Sequence, residues 1–218
     1  MLMLPFARFR CGALRMKLHS LRQSGILIAT NNANKVRELS AMLGELSIPV
    51  RVPAELGISI EVDETGTTFL ENALMKARAF FEAARIPVLA DDSGLVVDAL
   101  AGEPGVYSAR YGGSNLTDTD RIAIVLSKMQ KVAAHLRQAR FVCSLVFLEA
   151  TDEYRTYEGI AEGRILAEPE GADGFGYDPI FEDLLSGRSY ASISADEKNE
   201  RSHRGKALQQ FLADLQRL

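Results

Sequence analysis

A short apolar segment that ends in two adjacent aspartates limits what this chain can fold into. Residues 86–90 are apolar, as in a buried strand, and Asp91, Asp92, Ser93 and Gly94 follow them directly. Two carboxylates at the rim of a core must be solvated, paired or bound to a cation. Because α/β proteins bind ligands at the carboxyl edge of the sheet, the aspartates mark a candidate site, although a simple turn uses the same residue types.

The composition excludes several classes of protein. The chain has 218 residues, 47% of them hydrophobic and 25% charged, as in a soluble globular protein with one sizeable domain or two small lobes. It contains no apolar stretch long enough to span a membrane, and a net charge of −4 does not suit a general nucleic-acid binder. The two cysteines show neither a disulfide framework nor zinc-binding spacing. We therefore expect a cytoplasmic protein without a membrane or nucleic-acid partner.

The first 24 residues differ from the rest of the chain. Arginine and lysine occur in this segment, whereas aspartate and glutamate do not. Organelle transit peptides share this composition, but Met16 could also be the true start. We predict that residues 1–24 are a basic extension that is disordered or results from a misassigned start, and that residues 25–218 form a single domain.

The hydrophobic pattern predicts an α/β fold. Strands are predicted at residues 26–30, 88–90 and 140–150, with two more short strands within 154–166. Helices are predicted to begin near residues 33, 68, 117 and 202. The third of these helices follows a predicted loop at residues 101–116 and extends to residue 136. Helices and strands alternate early and strands cluster in the middle. This order favours a mixed central sheet flanked by helices, in two lobes with a substrate cleft between them.

Four polar clusters could carry chemistry, and each has a purely structural alternative. The first is Thr30-Asn31-Asn32-Ala33-Asn34-Lys35, between a strand and a helix. Backbone N–H groups at a helix N-terminus favour anions, so this cluster is a phosphate cradle or a capped turn with a solvated lysine. The second cluster, with Glu61, Asp63 and Glu64, is a ligand set or a solvated acidic turn. The third is the aspartate pair.

The fourth cluster combines glycine, aromatic and basic residues. It consists of Gly174, Phe175, Gly176, Tyr177, Asp178 and Pro179, followed by Lys198, Ser202, His203 and Arg204. Glycine allows close approach to a flat base, on which aromatic rings can stack, although a turn with core aromatics is the alternative. The chain lacks the motifs of P-loop NTPases, dinucleotide-binding folds, zinc proteases and serine hydrolases.

Seven motifs in this order resemble the inosine triphosphate pyrophosphatase family, whose bacterial members are called dITP/XTP pyrophosphatases. They are Thr30-x-Asn32-x-x-Lys35, Glu64-Thr65-Gly66, Glu71-Asn72-Ala73, Asp91-Asp92-Ser93-Gly94, Pro104-Gly105-Val106-Tyr107-Ser108-Ala109-Arg110, Gly174-Phe175-Gly176-Tyr177-Asp178-Pro179 and Ser202-His203-Arg204. Each motif is weak alone, but the ordered set is specific. The similarity extends from about residue 26 to the C-terminus and leaves the basic extension unexplained.

The resemblance implies an enzyme that hydrolyses the non-canonical purine nucleotides ITP, dITP and XTP to the monophosphate and pyrophosphate. Such an enzyme cleanses the nucleotide pool and keeps deaminated purines out of DNA and RNA. The resemblance further implies that Glu64 and Asp92 hold Mg²⁺, that Asp92 activates the attacking water, and that the protein forms a homodimer. Phosphate and sugar contacts are implied for Thr30, Asn31, Asn32, Ala33, Asn34, Lys35 and Ser93, and base contacts for Phe175, Gly176, Tyr177, Asp178, Lys198, His203 and Arg204. Lys76 is a further phosphate candidate.

The two aspartates are not equivalent in this interpretation. Side chains alternate along an extended segment, so both carboxylates do not point into one cleft. The resemblance selects Asp92 for the chemistry and leaves Asp91 a supporting role. Two alternatives stay open: a Maf-type nucleotide pyrophosphatase that acts on other bases, and a nucleotide-binding module without activity. The sequence does not decide the preference among ITP, dITP and XTP or how GTP is excluded.

Overall fold

The computed structural model describes residues 18–44, 46–151 and 153–217. Its strands are β1 (Ile26–Ile28), β2 (Val50–Arg51), β3 (Val88–Val97), β4 (Gln138–Ala150), β5 (Glu153–Ile165), β6 (Phe181–Asp183) and β7 (Arg188–Ser189). Its α-helices are α1 (Leu18–Ser24), α2 (Ala33–Gly44), α3 (Phe69–Ala84), α4 (Asp118–Lys128), α5 (Ala195–Arg201) and α6 (His203–Gln216). Within these ranges, no helix is long and apolar enough to cross a membrane.

The strands form one open, mixed sheet. The strand order is β2-β1-β3-β4-β5-β6-β7, with β1 parallel to β2 and β3 and the remaining neighbours antiparallel. Helices α2 and α6 cover one face of the β1-β3-β4 region, and α3 covers the opposite face. The predicted α/β class, with a mixed central sheet flanked by helices, is therefore confirmed.

The hydrophobic core is divided between the two ends of the sheet. Two clusters lie on opposite faces of β1, β3 and β4 and contain residues of alternate parity, such as Leu89 and Ala90. A third cluster packs α4 against the far ends of β3, β4 and β5 and includes Val97, Val125 and Phe181. Alternation along each strand explains how one sheet supports packed layers on both of its faces.

Strand β3 does not end at the aspartates. It continues to Val97, with Asp91 opposite Leu145 and Asp92 opposite Ser144 of β4. The prediction of a strand end or turn is therefore wrong, because the backbone ladder with β4 outweighs the local turn preference of these residues. Gly94 serves close packing instead: a Cβ there would lie 2.4 Å from Ser108 Oγ.

Other predicted boundaries also differ from the structure. Residues 153–165 form a single long strand rather than two short ones, and residues 105–110 of the predicted loop form a 3-10 helix. Helix α4 ends at Lys128. The chain turns after this helix so that the Arg137 guanidinium donates to the carbonyls of Met129 (2.9 Å) and Ile165 (2.8 Å).

The folded region begins before the predicted boundary at residue 25. Residues 18–24 form α1, and Leu21 is 0% exposed in the cluster that also contains Leu39 and Phe211. Burial of a complete leucine side chain contributes about 1.5–3 kcal/mol, which explains why this end of the basic segment is held by the core. Residues 1–17, the rest of the predicted extension, lie outside the described residues.

Candidate active site

A cleft of about 710 Å³ brings together nearly all the residues that the sequence singled out. Its lining includes Thr30, Asn31, Asn32, Asn34, Lys35, Glu64, Asp92, Ser93, Phe175, Gly176, Tyr177, Asp178, Lys198, His203 and Arg204. Among the predicted site residues, only Ala33 does not line it. A concave site of this volume suits a small-molecule ligand.

The turn between β1 and α2 presents the N-terminus of α2 to the cleft. Asn32 caps the helix, because its Oδ1 accepts the N–H groups of Asn34 (2.9 Å) and Lys35 (3.3 Å). Thr30 Oγ1 accepts the N–H of Asn32 at 3.1 Å. Because a helix N-terminus favours anions, the same turn is both a capped helix start and a surface suited to phosphate.

Asp91 does not line the cleft and lies buried against two cations that do. Its Oδ2 lies 3.0 Å from Lys35 Nζ and 3.2 Å from Arg204 Nη2, and it accepts the Ser93 hydroxyl at 3.0 Å. Burial opposes ionisation, but the charges of Lys35 and Arg204 outweigh it and hold the pKa of Asp91 well below its usual range. Asp91 is thus a permanent buried anion that orients two cations.

Asp92 points to the opposite side of β3 and into the cleft. Its Oδ1 lies 3.0 Å from Lys76 Nζ, and its Oδ2 accepts Asn72 Nδ2 at 3.2 Å. Burial raises the pKa of Asp92, and the positive charge of Lys76 offsets only part of that effect. A carboxylate with a raised pKa beside a cleft is suited to accept a proton.

Helix α3 supplies both partners of Asp92 from successive turns. The helix starts at a capping box in which Thr68 Oγ1 accepts the N–H of Glu71 at 3.2 Å. Glu71 Oε2 accepts the N–H groups of Thr67 and Thr68 in return. This firm start fixes the direction from which Asn72 and Lys76 reach β3.

Glu64 and Asp92 form a donor set that suits Mg²⁺. Both carboxylates contact the Lys76 ammonium, Glu64 Oε1 at 3.3 Å and Asp92 Oδ1 at 3.0 Å, and both residues line the cleft. The described residues contain no group of three or more histidine, cysteine or acidic side chains arranged for a metal. Mg²⁺ commonly uses one or two carboxylates and completes its coordination with water and substrate phosphates, so two oxygen ligands are sufficient.

The aromatic loop, residues 174–178, forms the other end of the cleft. Asp178 Oδ2 accepts the N–H of Phe175 at 2.8 Å and contacts Lys198 Nζ. The Phe175 ring lies 4.6 Å from Lys198 Nζ, and the Tyr177 hydroxyl donates to the Ser108 carbonyl at 2.9 Å. An aromatic face beside cations offers a surface on which a base can stack.

Glu38 joins the aromatic loop to the aspartate pair, and sequence reasoning missed it. Its carboxylate lies 3.0 Å from Lys198 Nζ and also contacts Arg204 Nη1. Burial opposes ionisation of Glu38, but Arg204 and Lys198 lower its pKa overall. The one sequence signal was its position three residues after Lys35 on α2, which places both side chains on one helix face.

Arg204 and His203 differ from the sequence expectation in their contacts. The Arg204 guanidinium donates four hydrogen bonds, to Asp91, Glu38 and Ser93, so four of its five N–H groups are engaged within the protein. The His203 ring stacks on Phe141 at 4.7 Å. Burial, reinforced by the charges of Arg204 and Lys198, lowers the pKa of His203 well below its usual range, so this side chain is neutral at pH 7.

The fold and the site define an α/β protein whose cleft combines a helix N-terminus, a carboxylate pair with a lysine, and an aromatic loop flanked by cations. A model of the Ham1 family matches residues 26–214. The dITP/XTP pyrophosphatase of Bacillus subtilis (strain 168) is 46% identical over 185 residues, covering 85% of this chain and 93% of that protein. The dITP/XTP pyrophosphatase of Thermus thermophilus is 46% identical over 192 residues, covering 88% and 92%.

Solved structures agree with these sequence matches. A HAM1 protein from Coxiella burnetii superposes with a TM-score of 0.82 at 39% identity, covering 89% of this chain and 99% of that one. The Staphylococcus aureus Ham1 protein gives 0.79 at 38% identity, covering 88% and 98%. The chain belongs to the Ham1 family, which confirms the resemblance and favours it over the two alternatives.

Proposed function

We propose that this protein hydrolyses the non-canonical purine nucleoside triphosphates ITP, dITP and XTP to the monophosphate and pyrophosphate. This activity would remove deaminated purines from the nucleotide pool before they enter DNA or RNA. One observation carries the proposal. A single cleft holds Asp92, Glu64 and Lys76 at one end and the aromatic loop with Lys198 at the other, in a chain whose relatives are named dITP/XTP pyrophosphatases.

The phosphate end of the cleft neutralises and orients the triphosphate. Phosphate oxygens bind to the N–H groups at the start of α2 and to the residues of the turn before it, Thr30, Asn31, Asn32, Ala33, Asn34 and Lys35. Ser93 binds phosphate beside this turn. Lys76 adds a second cation on the side of Asp92. Offsetting the phosphate charge is necessary before a nucleophile can approach phosphorus.

Asp92 accepts a proton from the water that attacks the α-phosphorus. A bond forms between the water oxygen and this phosphorus, and the bond to the oxygen bridging the α- and β-phosphates breaks. Pyrophosphate leaves with the bonding electrons, and the nucleoside monophosphate remains. Glu64 and Asp92 would hold Mg²⁺, which supplies further charge neutralisation on the phosphates when bound.

The opposite end of the cleft recognises the base. Phe175, Gly176, Tyr177 and Asp178 provide a stacking surface and backbone groups, while Lys198 and His203, with Arg204 behind them, provide hydrogen-bond donors. A donor that binds the 6-oxo group of hypoxanthine or xanthine would face the amino group of adenine and remain unpaired. Because an unpaired buried polar group is strongly unfavourable, ATP is rejected.

We further propose that the enzyme acts as a cytoplasmic homodimer, without nucleic-acid or membrane partners. Along β5, the side chains of Glu158 and Ile160 are exposed whereas those of Ala161 and Ile165 are buried. This strand therefore has one uncovered face that a second subunit can use. Light scattering coupled to size-exclusion chromatography would measure the mass in solution.

Release of pyrophosphate tests the proposed reaction directly. The enzyme is incubated with ITP, dITP, XTP, GTP, ATP and pyrimidine triphosphates, with Mg²⁺ and with EDTA. We expect rapid Mg²⁺-dependent release from the first three substrates and kcat/KM values about 100-fold lower for ATP, the upper end of the effect of one unsatisfied buried polar group. Preference for a pyrimidine substrate would favour the Maf-type alternative, and binding without turnover would favour a non-catalytic module.

A further inference from the structure

The aromatic loop contains two glycines in a conformation that provides little rigidity of its own. Gly174 and Gly176, on either side of Phe175, have φ values of +78° and +62°. Glycine adopts positive φ values without steric strain, but it also loses more conformational freedom than any other residue type when it becomes ordered. A Cβ at Gly176 would meet no atom within 4 Å, so no neighbour packs against that side of its Cα.

Polar contacts hold the aromatic loop at three separate points. At its base, Asp178 bonds to the Phe175 N–H and to Lys198. On the side of the 3-10 helix, the Tyr177 hydroxyl bonds to the Ser108 carbonyl. At its tip, the Gly176 N–H donates to Asp118 Oδ2 at 2.8 Å, a contact between residues 58 positions apart in the sequence.

Asp118 is well placed to act as a fixed anchor. It is the first residue of α4, whose start is capped by Thr117 and whose Ile122 and Val125 pack in the third core cluster. Its other carboxylate oxygen lies 3.5 Å from Nη1 of Arg121, one turn further along the helix. Asp118 also lines the cleft together with Gly176.

We propose that Asp118 is a positioning residue that holds the aromatic loop over the base end of the cleft through the Gly176 amide. This inference rests on the proposed function, because the base that the loop contacts is that of the nucleotide substrate. Without Asp118, the enzyme must order the tip of the loop at each binding event. The lost order weakens binding of the base but leaves the phosphate end and Asp92 unchanged.

The test compares Asp118→Ala with Asp118→Asn. Loss of the acceptor should accelerate hydrogen exchange of the Gly176 amide, measured by NMR, by about tenfold. In steady-state assays, Asp118→Ala should raise the KM for ITP about three- to tenfold while kcat stays within about twofold. Asp118→Asn keeps an amide oxygen that can accept the same hydrogen bond, so it should restore most of both properties.

Ligand affinities and a control variant distinguish a local effect of Asp118 on the base end of the cleft from a general loss of stability. Affinity for inosine monophosphate should fall in Asp118→Ala, whereas affinity for inorganic tripolyphosphate, which reaches only the phosphate end, should not change. Asp120→Ala is the matched control, since the Asp120 carboxylate caps the same turn of α4 by accepting hydrogen bonds from Thr117 rather than from the loop. This variant should lose thermal stability while its KM and its Gly176 exchange remain those of the wild type.

Several results would overturn the inference. Unchanged exchange at Gly176 in Asp118→Ala would show that Asp118 does not anchor the loop. Faster exchange with an unchanged KM would show that the anchor has no role in binding, and an equal rise of KM in Asp120→Ala would assign the effect to α4 stability. If the wild type does not hydrolyse ITP although the exchange results hold, the proposed function fails and the anchor itself stands.

Discussion

Asp91 and Asp92 are adjacent in the chain, yet their carboxylates have opposite environments. Alternation along β3 sends Asp91 to Lys35 and Arg204, and Asp92 to Lys76 and the cleft. The same alternation gives the two pKa values opposite directions, since cations dominate around Asp91 and burial dominates around Asp92. One residue therefore has a structural role, and the other is available for chemistry.

Substituting each aspartate separately tests this division of roles. Asp92→Asn should lower kcat for ITP by about 10²–10⁴-fold, because it removes the group that accepts the proton of the attacking water. Its Tm should change little. Asp91→Asn removes the carboxylate that Lys35 contacts and one of the two that Arg204 contacts, and it should lower the Tm by roughly 6–12 °C in a thermal unfolding experiment. Wild-type turnover in Asp92→Asn would remove this residue from the mechanism.

The base contact expected for Arg204 from the sequence needs a test other than replacement by alanine. Its guanidinium is shared among Asp91, Glu38 and Ser93, so replacement by alanine removes one of the two cations that each of these buried carboxylates contacts. Loss of stability would then obscure any change in base preference. A conservative lysine retains the charge and loses the forked geometry, and it therefore separates charge from hydrogen bonding more cleanly.

At the scale of elements, α3 is the helix that sets the geometry around Asp92. Asn72 and Lys76 project from consecutive turns, while Ala73, Ala77 and Phe80 pack against the sheet. The sequence Thr68-Phe69-Leu70-Glu71 has the spacing of a capping box, and the structure confirms this pattern. A capping box depends on residues three positions apart, which explains why a local pattern is sufficient to predict it.

Removing the cap should destabilise the protein without abolishing activity. Thr68→Ala loses the acceptor for the Glu71 N–H and should reduce the free energy of unfolding by about 1 kcal/mol, equivalent to a fall in Tm of roughly 2–4 °C. Thr68→Ser keeps the hydroxyl and serves as the control. Because the apolar face of α3 stays packed, kcat at 25 °C should remain within about twofold. An unchanged Tm in Thr68→Ala would contradict a stabilising role for the cap.

At the scale of the whole molecule, buried His203 links folding stability to pH. The folded state keeps this ring neutral because burial and the nearby Arg204 and Lys198 lower its pKa. In the unfolded chain the ring takes up a proton near pH 6.5. The unfolded state therefore binds more protons below this pH, and the free energy of unfolding should decrease as the pH falls.

Chemical denaturation at several pH values measures this effect. Between pH 6.5 and 5, the contribution of His203 should reach a slope of up to about 1.4 kcal/mol per pH unit. His203→Phe can still stack on Phe141 and should show a flatter profile. His135→Gln, at an exposed position, should keep the profile of the wild type. Equal slopes in the wild type and His203→Phe would show that another group causes the pH dependence.

The sequence by itself determined the local features of this protein: the fold class, the caps of α2 and α3, and the assignment of the two aspartates to opposite faces. The fold class follows from the order of helices and strands along the chain, whereas the caps and the faces of the aspartates depend on residues within about one helical turn or on the two-residue period of a strand. The sequence also identified most residues of the cleft, because their types and order match a family to which the chain belongs.

Only the tertiary structure decided which charges are partners. The bonds of Arg204 to Asp91 and Glu38 join residues 113 and 166 positions apart, and no local pattern encodes such separations. Pairing with β4 likewise carried β3 through Asp91 and Asp92, against the turn preference of these residues. Long-range backbone pairing and burial outweigh local propensity, so the partners of Glu38, Asn72 and Asp118 emerged only from the folded chain.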